Sequence, residues 1–204
     1  MARVAQFVIL GSMDEVRLID SAKRGNVQAF NTLILHYQDA AYNFALRMMG
    51  DPASAEDATQ KAFISAYKAL NRFQHGNFKG WLFRIVNNKC LDALRSQKRR
   101  PEPSIDELTE ENDSPGFLRD ESASPEDQMM SGETVDAIQS CLLGLPEAQR
   151  SVVVLCDVEG YDYQEIANIL DVSLGKIKSR INRARRKLRK CLKGFLELLP
   201  TKYR

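Results

Sequence analysis

Ten lysines and arginines, and no acid, stand between Val172 and Leu196. Such a density of cations suits a polyanion, and the spacing says how it is presented. Leu174, Ile177, Ile181, Ala184 and Leu188 recur three or four residues apart, which predicts a helix with one face to bury. Lys176, Lys178, Ser179, Arg180, Asn182 and Arg183 fall off that stripe and remain for a ligand. Just upstream, Ile166, Ala167, Ile169 and Leu170 predict a shorter helix, and Asp171-Val172-Ser173 breaks it. Ser173 is expected to cap the second helix with its hydroxyl. Two helices joined by so short a turn have the form of a helix-turn-helix, whose second helix enters the major groove.

The remaining composition narrows the class. Net charge is only +2, but between Pro101 and Glu133 there are eleven acids and a single base, Arg119. That segment carries four prolines and few large apolar residues, too little to offset its ordering entropy, so it reads as a flexible acidic linker. Two roles stay open for it: a solvated spacer, or a strand that threads a basic channel on a partner. The four cysteines (Cys90, Cys141, Cys156 and Cys191) form no CxxC pair and lie far in sequence from His36 and His75. Neither a zinc site nor a disulfide is expected; each cysteine reads as a small apolar residue in a reducing cytoplasm. No apolar run is long enough for a membrane span. Nucleophile–base pairs, phosphate-cradling glycine loops and metal-ligand spacings are all missing, so neither an enzyme nor a cofactor is expected. Residues 1–13 read as a leader, with Gly11-Ser12-Met13 resembling a cloning junction that would make Met13 the natural start.

The helices that must position the basic face follow from periodicity. A first helix is predicted over 14–24 and a second from Asn26 to Met49, with Val27, Phe30, Leu33, Ile34, Tyr37, Ala41, Phe44, Ala45 and Met48 inward. Gly50-Asp51-Pro52 breaks the chain before a third helix, 53–70, with Ala58, Ala62, Phe63, Ala66, Tyr67 and Leu70 inward and Glu56, Asp57, Gln60 and Lys61 outward. Phe78 opens a fourth, with Trp81, Leu82, Ile85 and Leu94 inside and Arg84, Asn87, Asn88, Asp92 and Arg95 on other faces. Periodicity resumes at Glu133 with Val135, Ile138, Cys141 and Leu142, breaks at Gly144-Leu145-Pro146, and continues over 147–158 into the helix-turn-helix. The expected fold is all-α: two small helical domains, 14–100 and 133–195, joined by the flexible linker 101–132 and followed by a short tail, 196–204.

Three stretches in this order carry a family resemblance. DYQEIANILDVSLGKIKSRINRARRKLR resembles the C-terminal DNA-binding domain of bacterial sigma factors of the extracytoplasmic-function class, and LPEAQRSVVVLCDVEGY resembles its lead-in. DPASAEDATQKAFISAYKAL and FKGWLFRIVNNKCLDALR independently resemble the first domain of that family. The resemblance spans about Asp14 to Lys193, the linker excepted, and is more specific than a helix-turn-helix alone. It implies a cytoplasmic factor that binds core RNA polymerase and sends it to promoters. The first domain would read and open the −10 element and the second would read the −35 element. The alternative is a stand-alone helix-turn-helix regulator.

Site roles come with the resemblance. Glu56, Asp57, Gln60 and Lys61 match the stretch that docks on the β′ clamp helices of the polymerase, whose β subunit is a further partner. Lys61 stands where the family often has an acid. Asn88 and Asp92 match the −10 reading positions; Phe73, His75, Asn77 and Phe78 would line the pocket for an unstacked base, and Trp81 would either stack on a base or join the core. Arg84, Lys89, Arg95, Lys98, Arg99 and Arg100 are expected at phosphates, Arg84 alternatively in an internal ion pair. Lys178, Ser179, Asn182 and Arg183 match the −35 reading positions, with chemistry suited to guanine and adenine edges. Lys176, Arg180, Arg185 and Arg186 would hold the backbone. An anti-sigma factor is an expected partner.

Overall fold

The computed structural model describes residues 12–74, 76–99 and 125–195, of which 12–13 and 125–133 are described as backbone only. The expected leader 1–11, His75, Arg100, most of the linker (101–124) and the tail 196–204 lie outside the described residues. Within them the chain is helical throughout: α1 (Ser12–Lys23), α2 (Val27–Met49), α3 (Pro52–Ala69), α4 (Phe78–Arg99), α5 (Pro125–Leu143), α6 (Glu147–Val153), α7 (Tyr163–Leu170) and α8 (Leu174–Leu192). α5 begins inside the span read as linker, before the periodicity that announced it at Glu133.

The ends of these helices are set by local chemistry. Asn26 caps α2, its side-chain oxygen accepting the Ala29 N–H at 3.1 Å. Gly50, at φ 80, ends α2 in a left-handed conformation that glycine adopts freely. Asp51 then caps α3 by accepting the Ser54 N–H at 2.7 Å, ahead of Pro52 in the first turn. α2 is the centre of the first unit, packed by α1, α3 and α4. Its Leu33, Phe44 and Met48 are fully buried with Leu82 and Val86 of α4, and Phe44 meets Phe83 edge-on at 5.3 Å between ring centres. Two residues expected inward are not: Val27 is 50% and Tyr67 44% exposed. Val27 is the first residue of α2, and Tyr67 still meets Phe30 edge-on, with ring centres 5.1 Å apart.

In the second unit α6 runs on through a single π-helical turn, Val154–Val158. α8 packs against α5, α6 and α7. Val135 and Ile138, part of the periodicity that announced α5, are exposed, because α5 meets its neighbours through Ala137, Cys141 and Leu142. The expectation of unpaired cysteines is overturned here: Cys141 of α5 and Cys191 of α8 form a disulfide, with Cα atoms 5.8 Å apart. The two are 50 residues apart in sequence, and only the packing of α5 on α8 brings them together.

The sequence left the mutual placement of the units open; in the structure they share one core. Arg150 of α6 is 6% exposed and donates to the Met48 carbonyl at the end of α2, and to the Leu143 and Leu145 carbonyls at 2.7 and 3.1 Å. Ser151 donates to Asn87 of α4 at 2.6 Å. Gln139 donates to the Leu46 carbonyl at 3.1 Å. A Cβ on Gly50 would lie 2.5 Å from a Leu143 methyl, so any larger residue there would push the end of that side chain aside. Three ion pairs rim the contact: Lys79–Glu159 at 3.1 Å, Arg84–Asp171 at 3.0 Å, and Lys98–Glu147. The hydrogen bond from Lys98 holds the Glu147 carboxyl below its ordinary range.

Candidate nucleic-acid interface

The helix-turn-helix is built from capping and burial. Asp162 accepts the Gln164 and Glu165 N–H groups at 2.7 and 2.8 Å, and Glu165 returns the bond to the Asp162 N–H at 2.9 Å. This reciprocal box fixes the start of α7. Asp162→Ala is expected to cost about 1 kcal/mol in urea unfolding, with Asp162→Asn retaining most of it. Equal losses for the two variants would show that the caps contribute little. At the other end Asp171 takes the left-handed conformation, φ 55 and ψ 51, that asparagine and aspartate tolerate best after glycine. Ser173 departs from expectation: its backbone is extended, as a cap requires, but its hydroxyl makes no capping bond. The turn is closed instead by its carbonyl, which accepts the Lys176 N–H at 2.9 Å.

α8 divides as its stripe predicts. Ile177, Ile181 and Ala184 are fully buried, each isoleucine contributing about 1.5–3 kcal/mol by leaving water. Lys176, Lys178, Ser179, Asn182, Arg183 and Arg186 are exposed, and Arg180 is half-buried. Ser173, Gly175, Lys176, Ser179, Arg180 and Arg183 line a shallow depression of about 480 Å³ on the outer side of the turn. Three cations, Lys176, Arg180 and Arg183, and three small residues there leave room for a groove edge to approach. Arg185 belongs to a different set. It pairs with Asp157 and reaches the Tyr163 hydroxyl at 3.5 Å, and its bond to Asp157 pushes its pKa above the ordinary value. In this structure it ties α8 to the π-helical turn.

On the first unit, Asn88 and Asp92 are exposed one turn apart on α4. Arg95 pairs with Asp92 at 3.4 Å, and Arg84 takes the internal option, pairing with Asp171 of the helix-turn-helix. The residues expected to line a base pocket are arranged otherwise. Phe73 and Phe78 are buried and form an aromatic cluster with Trp81, whose ring centre lies 5.2 Å from Phe73 and 5.4 Å from Phe78. Trp81 is half-buried in it. Asn77 is exposed, but its side-chain oxygen caps α4 by accepting the Gly80 N–H at 2.8 Å. Asn87, read as surface-facing, is 3% exposed and engaged with Ser151. It was missed because it lies between stripes on α4, and only a partner helix from the second unit covers it.

Glu56, Asp57, Gln60 and Lys61 are all exposed on α3, tied into two pairs one turn apart: Gln60 donates to Glu56 at 3.1 Å and Lys61 pairs with Asp57. Ile64, 56% exposed, extends this surface and escaped the reading by periodicity. Its spacing of three and four from Lys61 and Gln60 was the available signal.

Two family regions match the chain. The Sigma-70 region 2 family matches residues 33–100 and the Sigma-70, region 4 family matches residues 136–188. The chain is 35% identical over 170 residues to the ECF RNA polymerase sigma-E factor of Escherichia coli K12, covering 82% of this chain and 88% of that protein. It is 33% identical over 194 residues to the RNA polymerase sigma-H factor of Pseudomonas aeruginosa, covering 92% and 98%. Against the ECF RNA polymerase sigma factor SigE of Mycolicibacterium smegmatis it is 37% identical over 161 residues, 79% of this chain but 60% of that longer protein. Among solved structures, CnrH in complex with the cytosolic domain of CnrY superposes with a TM-score of 0.64 at 27% identity, covering 90% of this chain and 99% of that one. The sigma factor RpoE of Bartonella quintana, in complex with the anti-sigma factor NepR, gives 0.61 at 26% identity, covering 80% and 96%. Two matched regions in family order, and relatives matched over nearly their whole length, place this chain among the ECF RNA polymerase sigma factors.

Proposed function

We propose that this sigma factor reads its promoter at two points, with α4 at the −10 element and α8 at the −35 element, while α3 docks on the β′ clamp helices of core polymerase. The observation that carries the reading is the division of α8: Ile177, Ile181 and Ala184 at the centre of its apolar face are fully buried, and Lys178, Ser179, Asn182 and Arg183 are exposed away from it. Lysine, arginine and asparagine at those positions supply the donors that guanine and adenine edges accept in the major groove. Asn88 and Asp92 would meet the −10 strand, and Glu56, Asp57, Gln60, Lys61 and Ile64 the polymerase. The β subunit is a further contact. Catalysis belongs to the core enzyme; the factor works in the cytoplasm, where promoters are, and an anti-sigma factor is its inhibitor. Among the described residues no helix is long and apolar enough to cross a membrane.

Reading both elements requires the units to separate. Elements about 25 base pairs apart, at about 3.4 Å each, lie roughly 85 Å apart. A packed body of this size is only about 40 Å across. The packed arrangement is then a closed form, held by Arg150, Ser151 and the rim ion pairs, that core polymerase opens. Linked weak readers gain affinity from the tether once opened.

The test is reconstitution: purified factor, core polymerase and a promoter library, with transcript starts mapped. Specific initiation at one promoter class is expected; uniform starts would overturn the reading. Tight promoter binding without core enzyme would point to a stand-alone regulator. Asn88→Ala is expected to reduce promoter opening or −10 preference about tenfold, with core-polymerase affinity unchanged, as loss of one bidentate contact would do. A loss of polymerase affinity instead would move the DNA face away from Asn88.

A further inference from the structure

Two cysteines that the promoter-reading machinery does not use are joined at the far end of α8. Cys191 sits in its last turn, fifteen residues beyond Lys176, or about 22 Å along the axis from the groove-facing residues. Its partner, Cys141, is buried in α5 with 2% exposure, while Cys191 is half-buried. The bond closes a loop of 50 residues that contains α6, α7 and nearly all of α8, the whole DNA-reading unit. A disulfide in a chain that works in the cytoplasm is not a permanent staple. That compartment keeps thiols reduced, and disulfides there are characteristically transient.

We propose that Cys141 and Cys191 form a reversible dithiol–disulfide pair, oxidised by a low-molecular-weight disulfide, that sets the thermal stability of the −35-reading unit. The inference rests on the functional reading above only for its compartment. Cys191 is the entry thiol, because it is the accessible member and has Lys187, Arg189, Lys190 and Lys193 within four residues and no acid among them. That positive charge draws an oxidant that carries carboxylates, such as glutathione disulfide. The Cys191 thiolate attacks one sulfur of the small disulfide; that S–S bond breaks, and one small thiolate leaves and takes a proton. Cys141 then loses its proton and attacks the Cys191 sulfur of the mixed disulfide, expelling the second small thiol. The protein has lost two electrons and two protons, and one small disulfide has become two thiols.

The remaining cysteines are poor competitors. Cys90 is fully buried in the first unit and burial pushes its thiol up to about 12. The Cys156 thiol is also raised, first by burial and then by Asp157. The staple matters because α5 grips the unit narrowly, through Ala137, Cys141 and Leu142, with Val135 and Ile138 exposed. Oxidation leaves the groove-facing residues untouched and restricts the unfolded chain, so it acts on how long the reader stays folded rather than on what it reads.

The experiment equilibrates the full chain in reduced and oxidised glutathione buffers of stepped ratio, quenches with acid, alkylates under denaturing conditions and maps the modified peptides. Cys141 and Cys191 are expected to lose alkylation together in one step, with Cys90 and Cys156 still alkylated. The oxidised chain is expected to melt about 10 °C above the reduced one, in line with closing a loop of this length. That gap vanishes in Cys191→Ser and in Cys141→Ser. If a serine variant fails to fold, the gap in the unaltered chain still decides the matter. Thiols that stay free in buffers that fully oxidise a control dithiol, a glutathione adduct that never resolves, pairing that involves Cys156, or coincident melting of the two forms would each overturn the proposal. Promoter-directed transcription by the reduced chain is scored separately; its absence sinks the functional reading and leaves the thiol result standing.

Discussion

Arg150→Ala destabilises the chain by about 3 kcal/mol and loosens the two units from one another. The guanidinium is buried at the junction of α2, α5 and α6, where it donates to the carbonyls of Met48, Leu143 and Leu145. Met48 belongs to the last turn of α2, whose carbonyls have no helical N–H to accept from. Removing the side chain orphans three carbonyls at once and opens a gap where its stem packed. Burial lowers the arginine's pKa, and Glu147, the second influence, partly restores it. The side chain therefore sits where its charge is costly, and its bonds are what justify its place. Guanidinium-chloride unfolding should show a lower midpoint with unchanged slope, and hydrogen exchange should rise at the end of α2. Arg150→Lys should recover only part of the loss, because one ammonium cannot reach three carbonyls spread over two helix ends. Stability of Arg150→Ala within about 0.5 kcal/mol of the parent would mean that water replaces the guanidinium freely.

Arg183→Ala weakens −35 recognition by about 1–3 kcal/mol, concentrated at one base pair. Arg183 is exposed on α8 beside Ser179 and Arg180 in the shallow depression. A two-pronged donor there fits the O6 and N7 of a guanine, which alanine cannot replace. Competition binding against single-base variants of the −35 element, with core polymerase present, separates the roles. Loss of discrimination at one position marks a base reader; uniform weakening with a smaller salt dependence marks a phosphate contact and would overturn the assignment. Arg185→Ala serves as a control from the same helix. Its guanidinium is tied to Asp157 and Tyr163, so stability should fall while base preference is kept.

Much of the fold follows from local rules that act within a few residues. The start of α2 at Asn26, the Gly50-Asp51-Pro52 break and the break at Asp171-Val172-Ser173 were legible because each depends on a few side chains and their own backbone. The split of α8 was legible because Ile177, Ile181 and Ala184 repeat at the helical period. Ser173 shows the limit of even local reasoning: the right residue stood at the cap, yet a backbone carbonyl closes the turn.

The −10 side was less legible. Phe73 and Phe78 are aromatic and sit in a loop and at a helix start, which suited a base pocket; in the structure they close a cluster with Trp81. An aromatic side chain carries the same signature whether it stacks on a base or on its neighbour, and only the fold chooses.

By itself the sequence determined where the helices lie, the first part of α5 excepted, which face of α8 is apolar and which offers cations, and that an acidic block and a basic one stand apart in the chain. These properties are periodic or compositional, and they do not depend on distant residues. The tertiary structure alone decided that Asn87 is buried against Ser151, that Arg84 pairs with Asp171, that Arg150 bridges both units and that Cys141 meets Cys191. Each of these joins residues 50 to 102 positions apart. No periodicity encodes such a meeting, because it depends on how whole helices pack, and packing is settled by the summed fit of all their faces.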